Sequence, residues 1–86
     1  MITDTKEAQC TIKILSMLRN KKGKYNEMFR KTKVSHTTLQ RVLKEAAEKR
    51  IIEKYDTGHM KVDYIITTKG ARLLNFLIEI EKLMHI

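Results

Sequence analysis

Between Ser35 and Arg50 lies a set of side chains able to hydrogen-bond to the edges of base pairs. If Leu39, Leu43 and Ala46 face inward along a helix, with Val42 beside them, the outward positions are His36, Thr37, Gln40, Arg41 and Lys44. Gln40 can pair bidentately with adenine and Arg41 with guanine, and a threonine methyl such as that of Thr37 can meet thymine. His36 completes this candidate base-reading set. Lys44, one turn beyond Gln40, suits a phosphate instead. Arg30, Lys31 and Lys33 come just before the same helix and can grip a phosphate backbone, with Asn26 and Ser35 as further phosphate ligands. His59 and Lys61 are placed to reach a neighbouring minor groove or phosphate from the tip of a hairpin.

The charge distribution favours this chemistry over a generic polar surface. From Arg19 to Arg50 there are 11 Lys/Arg and 3 Asp/Glu, while residues 1–18 carry 2 of each and residues 51–86 carry 5 of each. The whole net charge of +8 therefore falls on one segment, the footprint expected of a surface that meets phosphate.

Other chemistries find little support. His36, His59 and His85 are far apart, and the single cysteine, Cys10, has no partner for a disulfide or a zinc site. Cys10 is expected to be a small packing residue, and Tyr25, Tyr55 and Tyr64 are expected to pack rather than form a stacking platform. No Gly-rich phosphate loop is present, and acidic residues pair with lysines along helices, as Glu45 does with Lys49. The expectation is no catalysis, no metal and no cofactor. A lone cysteine suits a reducing compartment, so a cytoplasmic, nucleoid-associated location is expected. Neither a membrane-spanning run nor a secretory signal is read from the sequence.

The elements that must position these residues follow from periodicity. Ala8, Ile12, Leu15 and Leu18, widened by Ile14, imply a helix from about Thr5 to Asn20, capped by Asp4 or Thr3. A short helix near Asn26–Lys31 buries Met28 and Phe29. A turn at Thr32-Lys33-Val34 follows, and Ser35 caps a longer helix to about Lys49. Ile51–Thr57 and Met60–Thr67 read as strands flanking Gly58-His59, a hairpin in which Val62, Tyr64 and Ile66 alternate with Lys61, Asp63 and Ile65. The last helix begins after Thr67 or Thr68. Leu73, Leu77, Ile80 and Met84 form a coiled-coil-like seam on it, and Ala71, Leu74 and Ile78 a second stripe. One stripe can cover the body of the domain, and the other needs a partner, most simply a second copy.

Helix, short helix, turn, longer helix, hairpin and helix is the order of a winged-helix domain. Met28, Val34, Ser35, Thr37, Thr38, Leu39, Leu43, Ile51 and Ile52, followed by Tyr64-Ile65-Ile66-Thr67-Thr68-Lys69-Gly70, resemble the small archaeal winged-helix DNA-binding proteins whose C-terminal helix forms a dimer seam. The resemblance covers nearly the whole chain. It implies a mainly α (α+β) fold, with a winged helix-turn-helix over residues 1–67 and a C-terminal dimerisation helix over 68–86 packed on the same domain. It further implies a homodimeric transcription regulator that reads double-stranded DNA with helix 35–50 and touches backbone or minor groove with wing 53–66. An architectural protein that coats DNA with low specificity, and a winged helix used to bind another protein, are the competing readings. The chain departs from the family pattern at two positions. Arg50 stands where glycine usually ends the recognition helix, and Ala46 replaces a more usual leucine.

Overall fold

Apolar spacing in the first helix decides where the core lies. A computed structural model of the chain describes residues 6–56, 58 and 61–85. In it α1 (Lys6–Leu18) buries Cys10, Ile14, Leu15 and Leu18 along one face, with Ile12 half-buried at its edge. The helix stops at Leu18, short of the expected Asn20, because the chain turns back there to reach β1 (Gly23–Lys24). Thr5 and the expected caps Thr3 and Asp4 lie outside the described residues.

The helix-turn-helix follows directly. α2 (Tyr25–Thr32) buries Met28, and its cap residue Lys33 takes the left-handed conformation at φ 56°. α3 (His36–Glu48) begins at the expected cap: Ser35 Oγ accepts from the Thr38 backbone N–H at 3.2 Å. Leu39, Val42, Leu43 and Ala46 all face the core. Fully buried Leu15, Met28, Leu39 and Leu74 each contribute on the order of 1.5–3 kcal/mol through loss of apolar surface from water.

Arg50 resolves the first departure from the family pattern. It adopts φ 59°, the conformation glycine would take. Its N–H donates to the Ala47 carbonyl at 3.0 Å and the Ile51 N–H to the Ala46 carbonyl at 2.9 Å, the paired bonds of a Schellman motif. The helix thus ends as it would with glycine, at a backbone cost of about 1–2 kcal/mol. The surroundings hold that conformation. Thr67 Oγ1 donates to the Arg50 carbonyl (2.7 Å), with the Ile51 carbonyl also within 2.9 Å, and Lys69 Nζ donates to the Lys49 carbonyl at 2.9 Å. Ala46 and Ile51 are both buried at this junction, and both line an open depression of about 430 Å³ together with Ala8, Val42 and Leu73.

The sheet has three antiparallel strands in the order β1-β3-β2. β2 (Ile52–Asp56) and β3 (Val62–Ile66) form the expected hairpin, with Ile52 opposite Ile66 and Asp56 opposite Val62. β1 is an addition that the periodicity of the sequence does not announce. Gly23 lies opposite Tyr64 and Lys24 opposite Asp63. Of the tyrosines, Tyr64 is buried and Tyr25 half-buried, but Tyr55 is 48% exposed. This corrects its expected packing role. Beyond Ile52 the second strand projects from the body, and Tyr55 Oη donates instead to the Glu53 carboxylate, which holds the phenol pKa up.

α4 (Thr68–Met84) is capped by Thr67, whose Oγ1 accepts from the Gly70 N–H at 3.0 Å. Leu74 and Leu77 are buried against the body, and α4 packs along α1, where Arg19 donates to Asn75 Oδ1. The proposed seam is thereby redrawn. Leu77 lies on the same face as Leu74, three residues away, so it is consumed within the protomer, and Leu73 packs against the core. Ile80 and Met84 of the expected seam are exposed, with Phe76 (64% exposed) and Leu83 (68%) beside them on the outward stripe.

Candidate nucleic-acid interface

An amphipathic helix with its apolar face buried must present the opposite face to solvent. On α3 that face carries Thr37, Gln40, Arg41 and Lys44, all exposed. Gln40 and Lys44 border a depression of about 510 Å³ between α3 and the sheet, together with Tyr25, Lys54 and Tyr64. Arg41 stands on the side toward α1. Its Nη2 donates to Oε1 of Glu7, an ion pair between two exposed side chains.

His36 is exposed but engaged. Its ring stacks on Phe29 with centroids 3.8 Å apart and planes within 7°. Its Nδ1 is hydrogen-bonded to Tyr25 Oη at 2.8 Å. Three aromatic rings thus join the start of α3 to α2, and His36 points along the flank of the helix rather than out from its exposed face. Ser35 is likewise occupied, as the cap of α3 and as donor to Thr38 Oγ1 at 3.0 Å.

Four of the eleven cations of the basic block are ion-paired among the described residues, and Arg19, Lys22 and Arg50 are not. Lys21 pairs with Glu27 (3.6 Å), Lys24 with Asp63 (3.1 Å), Lys49 with Glu45 (2.9 Å) and Arg41 with Glu7. Arg30, Lys31, Lys33 and Lys44 have no carboxylate partner among the described residues. These are the cations of the last turn of α2, the turn itself and the outward face of α3, so positive charge is left uncompensated along the helix-turn-helix edge. Asn26 is exposed in the first turn of α2, and Lys61 is exposed where the chain enters β3. His59 lies outside the described residues.

The sequence reading did not find Glu7, the aromatic stack of Tyr25, Phe29 and His36, or Lys54. Glu7 gains its place from an element distant in the chain, whereas Tyr25 and Phe29 are i, i+4 neighbours on α2 that meet His36 only through the packing of α2 on α3. Cys10 is buried as expected, and burial pushes its thiol pKa up against weaker opposing effects of Thr32 and Lys13. A neutral buried thiol of this kind is a packing group. Among the described residues no cluster of three or more His, Cys, Asp or Glu side chains could hold a metal ion, and no helix is long and apolar enough to cross a membrane.

Comparison with known proteins agrees with this geometry. A family model described as HxlR-like helix-turn-helix matches residues 7–85. No curated protein sequence matches the chain.

Proposed function

Since the chain belongs to the HxlR-like helix-turn-helix family of DNA-binding transcription regulators, we propose that it acts as a homodimer that selects DNA sites through α3. Thr37, Gln40 and Arg41 meet base edges in the major groove, with His36 at the flank. Arg30, Lys31, Lys33 and Lys44 take backbone phosphates, assisted by Asn26 and Ser35. The wing brings Lys61 to the adjacent backbone or minor groove, for which His59 is a further candidate ligand. The observation that carries this reading is a run of cations without carboxylate partners among the described residues, Arg30, Lys31, Lys33 and Lys44, along the edge of the helix-turn-helix.

Selection of duplexes from a random pool, at a stated salt concentration, tests the reading. A recurrent site with two half-sites about one DNA turn apart is the expected result. A preference ratio near unity against bulk genomic DNA would instead support an architectural protein of low specificity.

The dimer is supported by the outward stripe of α4, since Phe76, Ile80, Leu83 and Met84 form an exposed apolar strip on a helix already packed on its other side. Domain organisation follows the same division: a winged helix-turn-helix over 1–67 and a helix over 68–86 that serves both body and partner. Phe76→Glu combined with Leu83→Glu is expected to give a folded monomer in sedimentation, with weakened duplex affinity. Leu77→Glu is expected to unfold the chain instead, because Leu77 is buried within the protomer. Sedimentation unchanged in the double variant would remove the α4 dimer.

A further inference from the structure

Arg41 occupies the outward face of α3, yet its guanidinium is held by a carboxylate from another helix. Glu7, in the first turn of α1 and 34 residues away in sequence, accepts from Arg41 Nη2. The side chains are 58% and 52% exposed. A pair so open to water shifts an equilibrium by no more than about fivefold. Its contribution to the fold is small beside the buried Ile14, Leu15 and Leu18 that already fix α1. Its effect on Arg41 is larger, because Arg41 is the candidate reader of guanine and every base contact depends on how the guanidinium is presented.

Two physical consequences follow from the pairing. The first is electrostatic: a carboxylate in contact with Arg41 offsets the attraction of that cation for any passing phosphate, and so weakens binding that ignores sequence. The second is geometric. The guanidinium is a planar fork with five donors. Glu7 engages Nη2 and limits the rotation of a side chain that would otherwise sample many rotamers, leaving the remaining donors for the groove. A bidentate guanine contact discriminates among bases by roughly 5- to 150-fold, which exceeds what the exposed pair can oppose. A single mobile phosphate contact does not exceed it by the same margin.

We propose that Glu7 is a positioning residue for base selection, which holds Arg41 back from generic phosphate and presents it to guanine. The proposal rests on the DNA-binding reading given above, and it assigns α1 a part in specificity as well as in packing.

The test is a double-mutant cycle read by fluorescence anisotropy. Wild type, Glu7→Gln, Arg41→Ala and the double variant are titrated against two duplexes of equal length, one enriched from a random pool by the wild-type protein and one with that sequence scrambled. Glu7→Gln is expected to raise affinity for the scrambled duplex by about threefold. It should raise affinity for the enriched duplex less, or lower it, so that the preference between the two falls by about threefold or more. In the Arg41→Ala background the same substitution should leave the preference unchanged. An equal gain on both duplexes overturns the proposal, since it marks a simple change of net charge, and so does the same loss of preference without Arg41, since Glu7 would then act by a route that bypasses Arg41. A wild-type chain that binds both duplexes equally removes the selective DNA-binding reading itself. A selective wild type without coupling between the two positions removes only the role of Glu7.

Discussion

Replacing Gly70 with alanine is expected to destabilise the protein by about 2 kcal/mol. A Cβ at position 70 would stand 2.1 Å from the Ile51 carbonyl oxygen, 2.9 Å from Ile66 Cγ1 and 3.0 Å from the Ile51 carbonyl carbon. The nearest of these is backbone, and it cannot retreat freely. The Ile51 carbonyl already accepts from the Thr67 N–H at 3.1 Å and lies beside the Thr67 hydroxyl that caps α4. Alanine would gain about 1 kcal/mol in helix propensity, while overpacking of this kind costs about 3 kcal/mol, so the clash prevails. For a chain of this size, the melting midpoint should fall by about 10 °C, measured by circular dichroism or calorimetry. A midpoint raised by Gly70→Ala would mean that α4 does not approach β2 this closely. Gly70 therefore serves as a contact point between the start of the wing and the helix that covers α1, and no side chain fits there.

The second large effect is expected in the salt dependence of DNA binding. Arg30, Lys31, Lys33 and Lys44 lack carboxylate partners among the described residues, so each can displace a condensed counterion from a phosphate. With four such contacts per protomer and two protomers on the duplex, the slope of log affinity against log salt should be near about −7. Affinity should then fall about 10⁴-fold between about 50 and 200 mM monovalent salt. Lys33→Ala in both protomers should reduce the slope by about 2 and weaken all sequences alike. A slope shallower than about −2 would leave the basic block without its assigned role and favour a winged helix that binds protein rather than DNA.

Both predictions depend on placements that were unequally legible in the sequence. The local features were readable. Ser35 is a cap because its own hydroxyl reaches the Thr38 N–H three residues on, and α3 buries Leu39, Val42, Leu43 and Ala46 because helical periodicity places them on one face. The hairpin follows from alternation around Gly58, which takes φ 85°. Thr67 serves as cap for the same reason as Ser35. Family membership over residues 7–85 agrees with this order of elements.

The seam is legible in the sequence only at Ile80 and Met84, and the reason is also physical. A heptad groups Leu73, Leu77, Ile80 and Met84, but the body of the domain claims the stripe through Leu74 and Leu77. Which of two overlapping stripes turns inward depends on the surface that α1 offers, and that surface does not exist until α1 and α4 have packed. Phe76 and Leu83 are left outside as a result.

By itself the sequence determined the order of the four helices and the hairpin, the caps Ser35 and Thr67, the inward face of α3 and the segment that carries the net charge, because each depends on residues within a few positions of one another. Only the tertiary structure decided the rest. It placed β1 beside β3, which a two-residue stretch of Gly23 and Lys24 could not announce. It held Arg50 in a left-handed conformation through Thr67, and it stacked His36 on Phe29. It also set Glu7 against Arg41. Most of these contacts join groups far apart along the chain, and the geometry of all of them is set by how the buried faces fit together, information that no short window of residues contains.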